Sequence, residues 1–389
     1  MRSRMAKRGR SRSPRARAVH AAVMDDFVLD ARVEHIRNFL NVLSVVKLSK
    51  KQHVNVSVSE RGVTFVAVDD SKSLQAQANF RAEVFSRFRV NASAAGGTQG
   101  PGGTGATSFA GSFGVALGSL IDVLSVFAPM DGEAELSLRW PDRDGRLVLA
   151  AHVERGKPER PLQSCTHAAV AATERDDGGG PGGGDIVFRG ETNAFTLPAH
   201  GLKEIVDDLE WPNAPMAIEM SSDPNVLTFS AAGQEIGELR VDVDARDGRG
   251  LTEFACGVNG RWLYRHAFAK AATALPGALL GPTHDRGGGD GVDAPTMTRV
   301  AIGEGGMLKV VHLVRLSRAI PHFGGGGGGG GFGGTATGGG PGSRGTHTQS
   351  ATPRAPASYV VPVTFVAYPE VEMSDGEYDD FGDEVDSES

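Results

Sequence analysis

An α+β fold of two similar domains is predicted from three observations. One run of signals occurs twice, 168 residues apart: a strand, an amphipathic helix and an alternating hairpin. Strand-like segments follow one another through short turns, with no regular strand–helix–strand alternation that would build a parallel sheet. Glycine, 54 of 389 residues, is concentrated in the stretches 91–114, 176–184, 281–291 and 324–345, which hold 34 of them. Those stretches read as low-complexity insertions that bury no apolar surface, and the rest has ordinary globular composition.

The first copy opens with a strand, Phe27–Ala31, and continues into a helix over Glu34–Val46 with Ile36, Leu40 and Leu43 on its apolar stripe. Two alternating strands follow between His53 and Val68, and Leu74–Phe80 alternates at period two as another. After the insertion at 91–114, the spacing of Leu117, Leu120, Ile121 and Leu124 predicts a helix over Gly114–Phe127. The segments AELSLRW and Arg146–Val153, joined by the turn-rich PDRDG, close this first domain at residues 24–155. Residues 156–185 read as a polar connector.

The second copy spans residues 186–372 and repeats the order. Ala194–Ala199 is a strand, His200–Glu210 a helix, and Met216–Met220 with Val226–Ala231 a hairpin. Phe27-Val28-Leu29 aligns with Phe195-Thr196-Leu197, and Thr64-Phe65 with Thr228-Phe229. Strands are expected at Ile236–Asp244 and Glu253–Val258, then a helix over Gly260–Leu275. Further strands follow at Thr298–Gly303, Met307–Leu316 and Tyr359–Tyr368, with Pro362 marking an edge or a bulge in the last.

The net charge of −7 hides opposite ends. Residues 1–20 carry eight Lys/Arg and no acid, and residues 370–389 carry ten Asp/Glu and no base. The folded part is therefore nearly balanced, and only a local patch would support nucleic-acid binding. The basic tail, residues 1–23, is open to three readings: a nuclear-import arm, a transit-like peptide, or sequence upstream of a start at Met24. Residues 373–389 read as a disordered acidic tail. No apolar run reaches the length of a membrane span.

Catalytic chemistry finds no constellation, so no catalytic, metal or cofactor-binding residue is assigned. A two-metal nuclease needs spaced carboxylates, whereas the acids cluster in the tail; Asp69-Asp70 suits a turn and Asp207-Asp208 a solvated helix face. The octaglycine 324–331 lacks the Gly-Lys-Ser/Thr ending of a phosphate loop. Cys165, Cys256, His312 and His322 have no zinc spacing, and no GxSxG elbow is present.

Several segments carry a family resemblance. VFSRFRV (Val84–Val90), DVLSVFAPM (Asp122–Met130), EFACGVNGRWLYRHAFAKAATAL, the strands RVAIGEGGMLKVVHLVRL and VTFVAYPEVE, and the acidic Ser-Glu-Ser ending together resemble the Rad-one checkpoint protein family, one subunit type of the nine-one-one checkpoint clamp. The resemblance implies two sliding-clamp domains like those of proliferating cell nuclear antigen, each with two helices on antiparallel sheet. It implies a nuclear, non-enzymatic subunit of a heterotrimeric ring around double-stranded DNA, without sequence specificity, serving checkpoint signalling and repair. The implied partners are two other subunits, of Rad-nine and Hus-one types, and a clamp loader. The alternatives are a metal-dependent 3′–5′ exonuclease and a homotrimeric replication clamp.

In such rings the helices line the hole, so cations beside the helices are the DNA-facing candidates: Arg37, Lys47, Lys50 and Lys51 around the first helix, Lys203 on the third, and Arg261, Arg265 and Lys270 on the last. Ser119, Asp122 and Ser125 give the second helix no positive charge, and Lys203 shares its face with Asp207 and Glu210.

Overall fold

The computed structural model describes residues 27–91, 109–131, 134–157, 160–173, 186–211, 214–233, 237–244, 250–280, 295–317 and 358–370. Domain 1 comprises β1 (Leu29–Val33), α1 (Ile36–Val45), β2 (His53–Ser59), β3 (Gly62–Val68), β4 (Leu74–Arg81), β5 (Arg87–Val90), β6 (Phe109–Ala116), α2 (Leu117–Phe127), β7 (Ala134–Trp140), β8 (Leu147–Lys157), β9 (Arg160–Val170) and the short β10 (Ala172–Thr173). Domain 2 comprises β11 (Glu191–Pro198), α3 (Ala199–Asp208), β12 (Pro215–Ser222), β13 (Asn225–Gly233), β14 (Gly237–Asp244), β15 (Glu253–Cys256), β16 (Gly260–Arg265), α4 (His266–Thr273), the single turn α5 (Gly277–Leu280), β17 (Met297–Gly303), β18 (Leu308–Ser317) and β19 (Ser358–Ala367).

The strands form three antiparallel sheets. One is β5-β1-β7-β8-β9, one is β14-β13-β12-β16, and the central one runs β10-β6-β2-β3-β4-β19-β18-β17-β11-β15. The duplication is visible in these orders. The set β5-β1-β7-β8-β9 of domain 1 corresponds to β15-β11-β17-β18-β19 of domain 2, and β6-β2-β3-β4 corresponds to β16-β12-β13-β14. The central sheet is thus a fusion of one half from each domain, joined where β4 pairs with β19 from Leu74↔Ala367 to Ala78↔Val363.

Among the described residues, α1, α4 and α5 pack on one face of that sheet, with α2 beside α1 and α3 beside α4. Register carries a single buried row across both domains: Val56↔Phe65, Phe65↔Ala78, Ala78↔Val363, Val363↔His312 and His312↔Thr298. On this face α1 packs Phe39 against Phe65 and Phe80, with ring centroids 6.0 and 4.6 Å apart. The same face receives α4, whose Ala272 carbonyl accepts a 2.5 Å hydrogen bond from His312 Nε2, and α5 lies against both α1 and β18. His312 Nδ1 meets Thr298 Oγ1 at 2.7 Å. The ring is buried, which drives its pKa down to about 4 against the opposing hydrogen bond to Ala272.

Four segments differ from their sequence reading. Gly114–Ala116 and Gly260–Arg265, expected as helix, are strand, so α2 begins at Leu117 and α4 at His266. The run Trp262–Phe268 has apolar residues compatible with either period. Pairing with β12, from Pro215↔Arg265 to Met220↔Gly260, selects the strand, and the buried Tyr264 hydroxyl donates to the Gly306 carbonyl at 2.8 Å. The last six residues of the stretch 91–114, expected as insertion, belong to β6. Its Gly111 is a packing requirement, because a Cβ there would sit 3.1 Å from the Trp140 ring, which itself stacks on Phe113. The expected connector 156–185 contains β9, paired with β8 throughout its length. Residues 158–159 and 174–185 of that connector, the glycine stretches 281–291 and 324–345, and the expected tails 1–23 and 373–389 lie outside the described residues. Pro362 sits where the β4 ladder has ended, a local edge on that side of β19.

Candidate nucleic-acid interface

The helix-bearing face gathers most of the eight candidate cations, in two unlike groups. In domain 1, Arg37 is exposed in the first turn of α1 and donates from Nε to the Ala128 carbonyl, 3.2 Å away. Lys47, Lys50 and Lys51 are exposed on the turn between α1 and β2. None of these three has an ion-pair partner among the described residues. The turn holds its shape through Gln52, a buried side chain whose Oε1 accepts from the Leu48 and Ser49 amides at 2.6 and 3.3 Å. Its Nε2 donates to the Val68 carbonyl at 3.1 Å.

This turn abuts the start of α2. A Cβ on Gly118 would lie 3.8 Å from Lys47 Nζ. The N-terminus of α2 has no side-chain cap and no acid in its first turn. The Leu117 amide donates to the Gln52 carbonyl at 2.9 Å, and the helix dipole adds its positive end to the charge of the lysines. Three unpaired ammonium groups and one helix N-terminus thus share an exposed surface.

In domain 2 both candidate lysines are already engaged. Lys203 pairs with Asp207 one turn along α3, and Lys270 of α4 pairs with Glu210 at 2.6 Å. The hydrogen bond from Lys270 holds the Glu210 carboxyl below its ordinary pKa. Arg265 lies over the Phe268 ring at 5.5 Å and lines an open cleft of about 560 Å³ with Glu210, Trp211, His266, Lys270 and Glu370. Arg261 departs from its expected place on a helix: it projects from β16, in register opposite Glu219 of β12. Arg261 and Arg265 are therefore not one helical turn apart, and Arg261 sits on the sheet rather than among the helices.

Sequence reasoning did not identify which strands end the sheets, and two of those edges are the duplication counterparts of β19 and β4. β9 and β14 each pair on one side only among the described residues. β14 was readable from the alternation of Glu238, Arg240 and Asp242 with half-buried Leu239, Val241 and Val243. β9, within a segment rich in polar residues and proline, gave no such signal. Three or more His, Cys, Asp or Glu side chains poised to hold a metal ion are not found among the described residues.

Comparison with known proteins agrees with this architecture. The solved structure of the clamp protein PCNA from Thermococcus kodakaraensis superposes with a TM-score of 0.55 at 13% identity, covering 88% of this chain and 100% of that one. That likeness establishes the sliding-clamp fold. Comparison with curated protein sequences finds no match. The family model described as repair protein Rad1/Rec1/Rad17 matches residues 28–259, more than half of the chain and everything from the residue before β1 to the turn before β16. The chain, a two-domain clamp with a one-sided helical face, belongs to the Rad1/Rec1/Rad17 family of repair proteins.

Proposed function

We propose that the chain is a non-enzymatic subunit of a heterotrimeric clamp that encircles double-stranded DNA in the nucleus, as a platform for checkpoint signalling and repair. One observation carries the assembly. Inside the chain, β4 and β19 are joined, and their counterparts by duplication, β14 and β9, are left open. An interface that repeats the β4–β19 junction between β14 of one subunit and β9 of the next is head-to-tail, and such contacts form a ring where the rotation closes. Closure also removes two exposed edges that would otherwise invite aggregation. The family resemblance is what supports unlike neighbours of Rad-nine and Hus-one types over self-closure. A clamp loader would then place the ring on DNA.

The helical face supports the DNA reading through Lys47, Lys50, Lys51 and Arg37, whose contacts would be with phosphates and so independent of sequence. The exonuclease alternative lacks a carboxylate cluster among the described residues to carry it. Light scattering of the purified chain, alone and mixed with the two partner subunits, tests the assembly. A one-to-one-to-one complex with partners and a monomer without them is expected. A well-populated homotrimer at micromolar concentration would replace this reading with that of a replication-type clamp.

A further inference from the structure

The face of the central sheet opposite the helices carries an apolar strip over the seam between the domains. Leu313 of β18 and Val360 of β19 are 45% and 42% exposed, and half-buried Val311, Pro362 and Met297 adjoin them. Register sets Leu313 beside Pro362 and Met297, and Val360 beside Arg315. Two exposed cations flank the strip: Arg315, and Arg81 on the outward side of β4. Neither has an ion-pair partner among the described residues. Other cations on this face are occupied: Arg299 is held by Glu191 and Glu253, and Lys309 lies over the Phe188 ring at 5.2 Å.

Among the described residues, nothing covers the strip. It lies in the middle of the ten-stranded sheet, while neighbours would pair at β9 and β14, both in other sheets. Residues 186–190 cross the face at another level: the Ile186 amide donates to Gln75 Oε1 at 2.7 Å, Phe188 meets Lys309, and Arg189 accepts from the Glu304 amide at 3.0 Å. That level is the row Gln75↔Val366↔Lys309, whereas Leu313 and Val360 lie toward the far end of β18 and the start of β19.

We propose that this strip is a docking surface for an acidic peptide bearing aromatic residues, and that its occupant in the isolated chain is the chain's own tail, residues 372–389. The chemistry matches on both counts. The tail carries nine Asp/Glu and no base, with Tyr378, Phe381 and Val385 spaced among them, and the strip is apolar with free arginines at its margin. The origin of the tail also fits. Tyr368 donates to the Ser73 carbonyl at 3.0 Å and Glu370 to the Leu263 carbonyl at 2.8 Å, which anchors the departing chain at the opposite end of β19. Back along β19 from Tyr368 to Val360 is about 26 Å at 3.3 Å per residue. Eighteen extended residues reach about 60 Å. An external partner segment of like chemistry would have to displace the tail, so the tail acts as a built-in competitor. The proposal concerns the isolated chain and does not depend on ring assembly.

Photo-crosslinking in the full chain tests it. With p-benzoylphenylalanine placed at Leu313, cross-links to residues 372–389 of the same molecule are expected, independent of protein concentration. Salt near 1 M shortens the Debye length to about 3 Å and should cut the yield several-fold, as should the double substitution Arg81→Glu with Arg315→Glu. The same probe at Val126, 62% exposed on α2, serves as the background. Because Leu313 joins a paired strand, the reciprocal probe at Phe381, in the tail, should capture peptides containing Leu313 or Val360 without disturbing the sheet. Cross-links from Leu313 to other segments or to a second molecule, or a yield no higher than at Val126, would overturn the proposal.

Discussion

The two domains share one topology, yet they treat their positive charge in opposite ways. Domain 1 leaves Lys47, Lys50 and Lys51 unpaired beside the uncapped start of α2. Domain 2 ties Lys203 to Asp207 and Lys270 to Glu210 on the equivalent helical surface. A surface ion pair contributes little to stability, about 0–1 kcal/mol, but it removes most of the local field that would attract a phosphate. Duplication preserved the frame, while the pairing of the surface cations diverged within it. On the proposed function, DNA contact would fall mainly on domain 1.

The comparison presumes that one sheet ties the two domains into a single cooperative body. Phe365, 1% exposed, lies at the β4–β19 junction opposite Ala76 and edge-on to His312 at 6.0 Å. Phe365→Ala should cost about 3–5 kcal/mol, the usual range for an aromatic cavity, and lower one common unfolding transition seen by circular dichroism. Two separated transitions would break the comparison, because each domain would then be an independent unit.

A second contrast lies in the buried face. β18 carries His312 there, whereas its counterpart β8 presents Leu147, Leu149 and Ala151. His312 is buried neutral with a pKa of about 4, below the ordinary 6.5. The unfolded chain therefore binds this proton more readily, and stability falls as pH drops from about 6.5 to about 4. The loss amounts to about 3 kcal/mol across that window. Denaturant midpoints measured from pH 7 to pH 4 should show it, and His312→Leu should flatten this portion of the profile.

Charge itself comes next. In the assembled complex, replacing Lys47, Lys50 and Lys51 together by Ala should weaken duplex DNA binding about tenfold and reduce the salt slope by about 2.7. Lys203→Ala with Lys270→Ala should change affinity less than about twofold, since those ammonium groups already face carboxylates. Equal losses from both sets would erase the distinction between the domains. A smaller effect sharpens it: Asp207→Asn with Glu210→Gln should release both lysines and raise DNA affinity by about twofold to threefold. Electrophoretic titration at fixed salt would measure each. The smallest effect concerns the glycine-rich stretch. Deleting residues 324–345, of which fifteen are Gly, should shift stability by less than about 1 kcal/mol, because loop closure depends weakly on length.

Local pattern was enough to read the duplicated unit. The helix expected at Glu34–Val46 is α1 at Ile36–Val45, and that expected at His200–Glu210 is α3 at Ala199–Asp208. The hairpins β2–β3 and β12–β13 also fall where alternation put them, because side-chain period and burial agree there. The cations were visible as residues, though not their engagement: Lys270 and Glu210 are sixty positions apart, and only folding brings them to 2.6 Å. The misread segments share one cause. Gly111 resembled linker until Trp140 was seen above it, β9 resembled connector until β8 paired with it, and Gly260–Arg265 fitted a helix until β12 supplied its ladder. The junction of β4 with β19 joins residues almost three hundred positions apart. Propensity and period act over a few residues, whereas strand pairing, ion pairing and close glycine contacts are set by neighbours distant in the chain. Those neighbours decided which edges stay open and which lysines stay free.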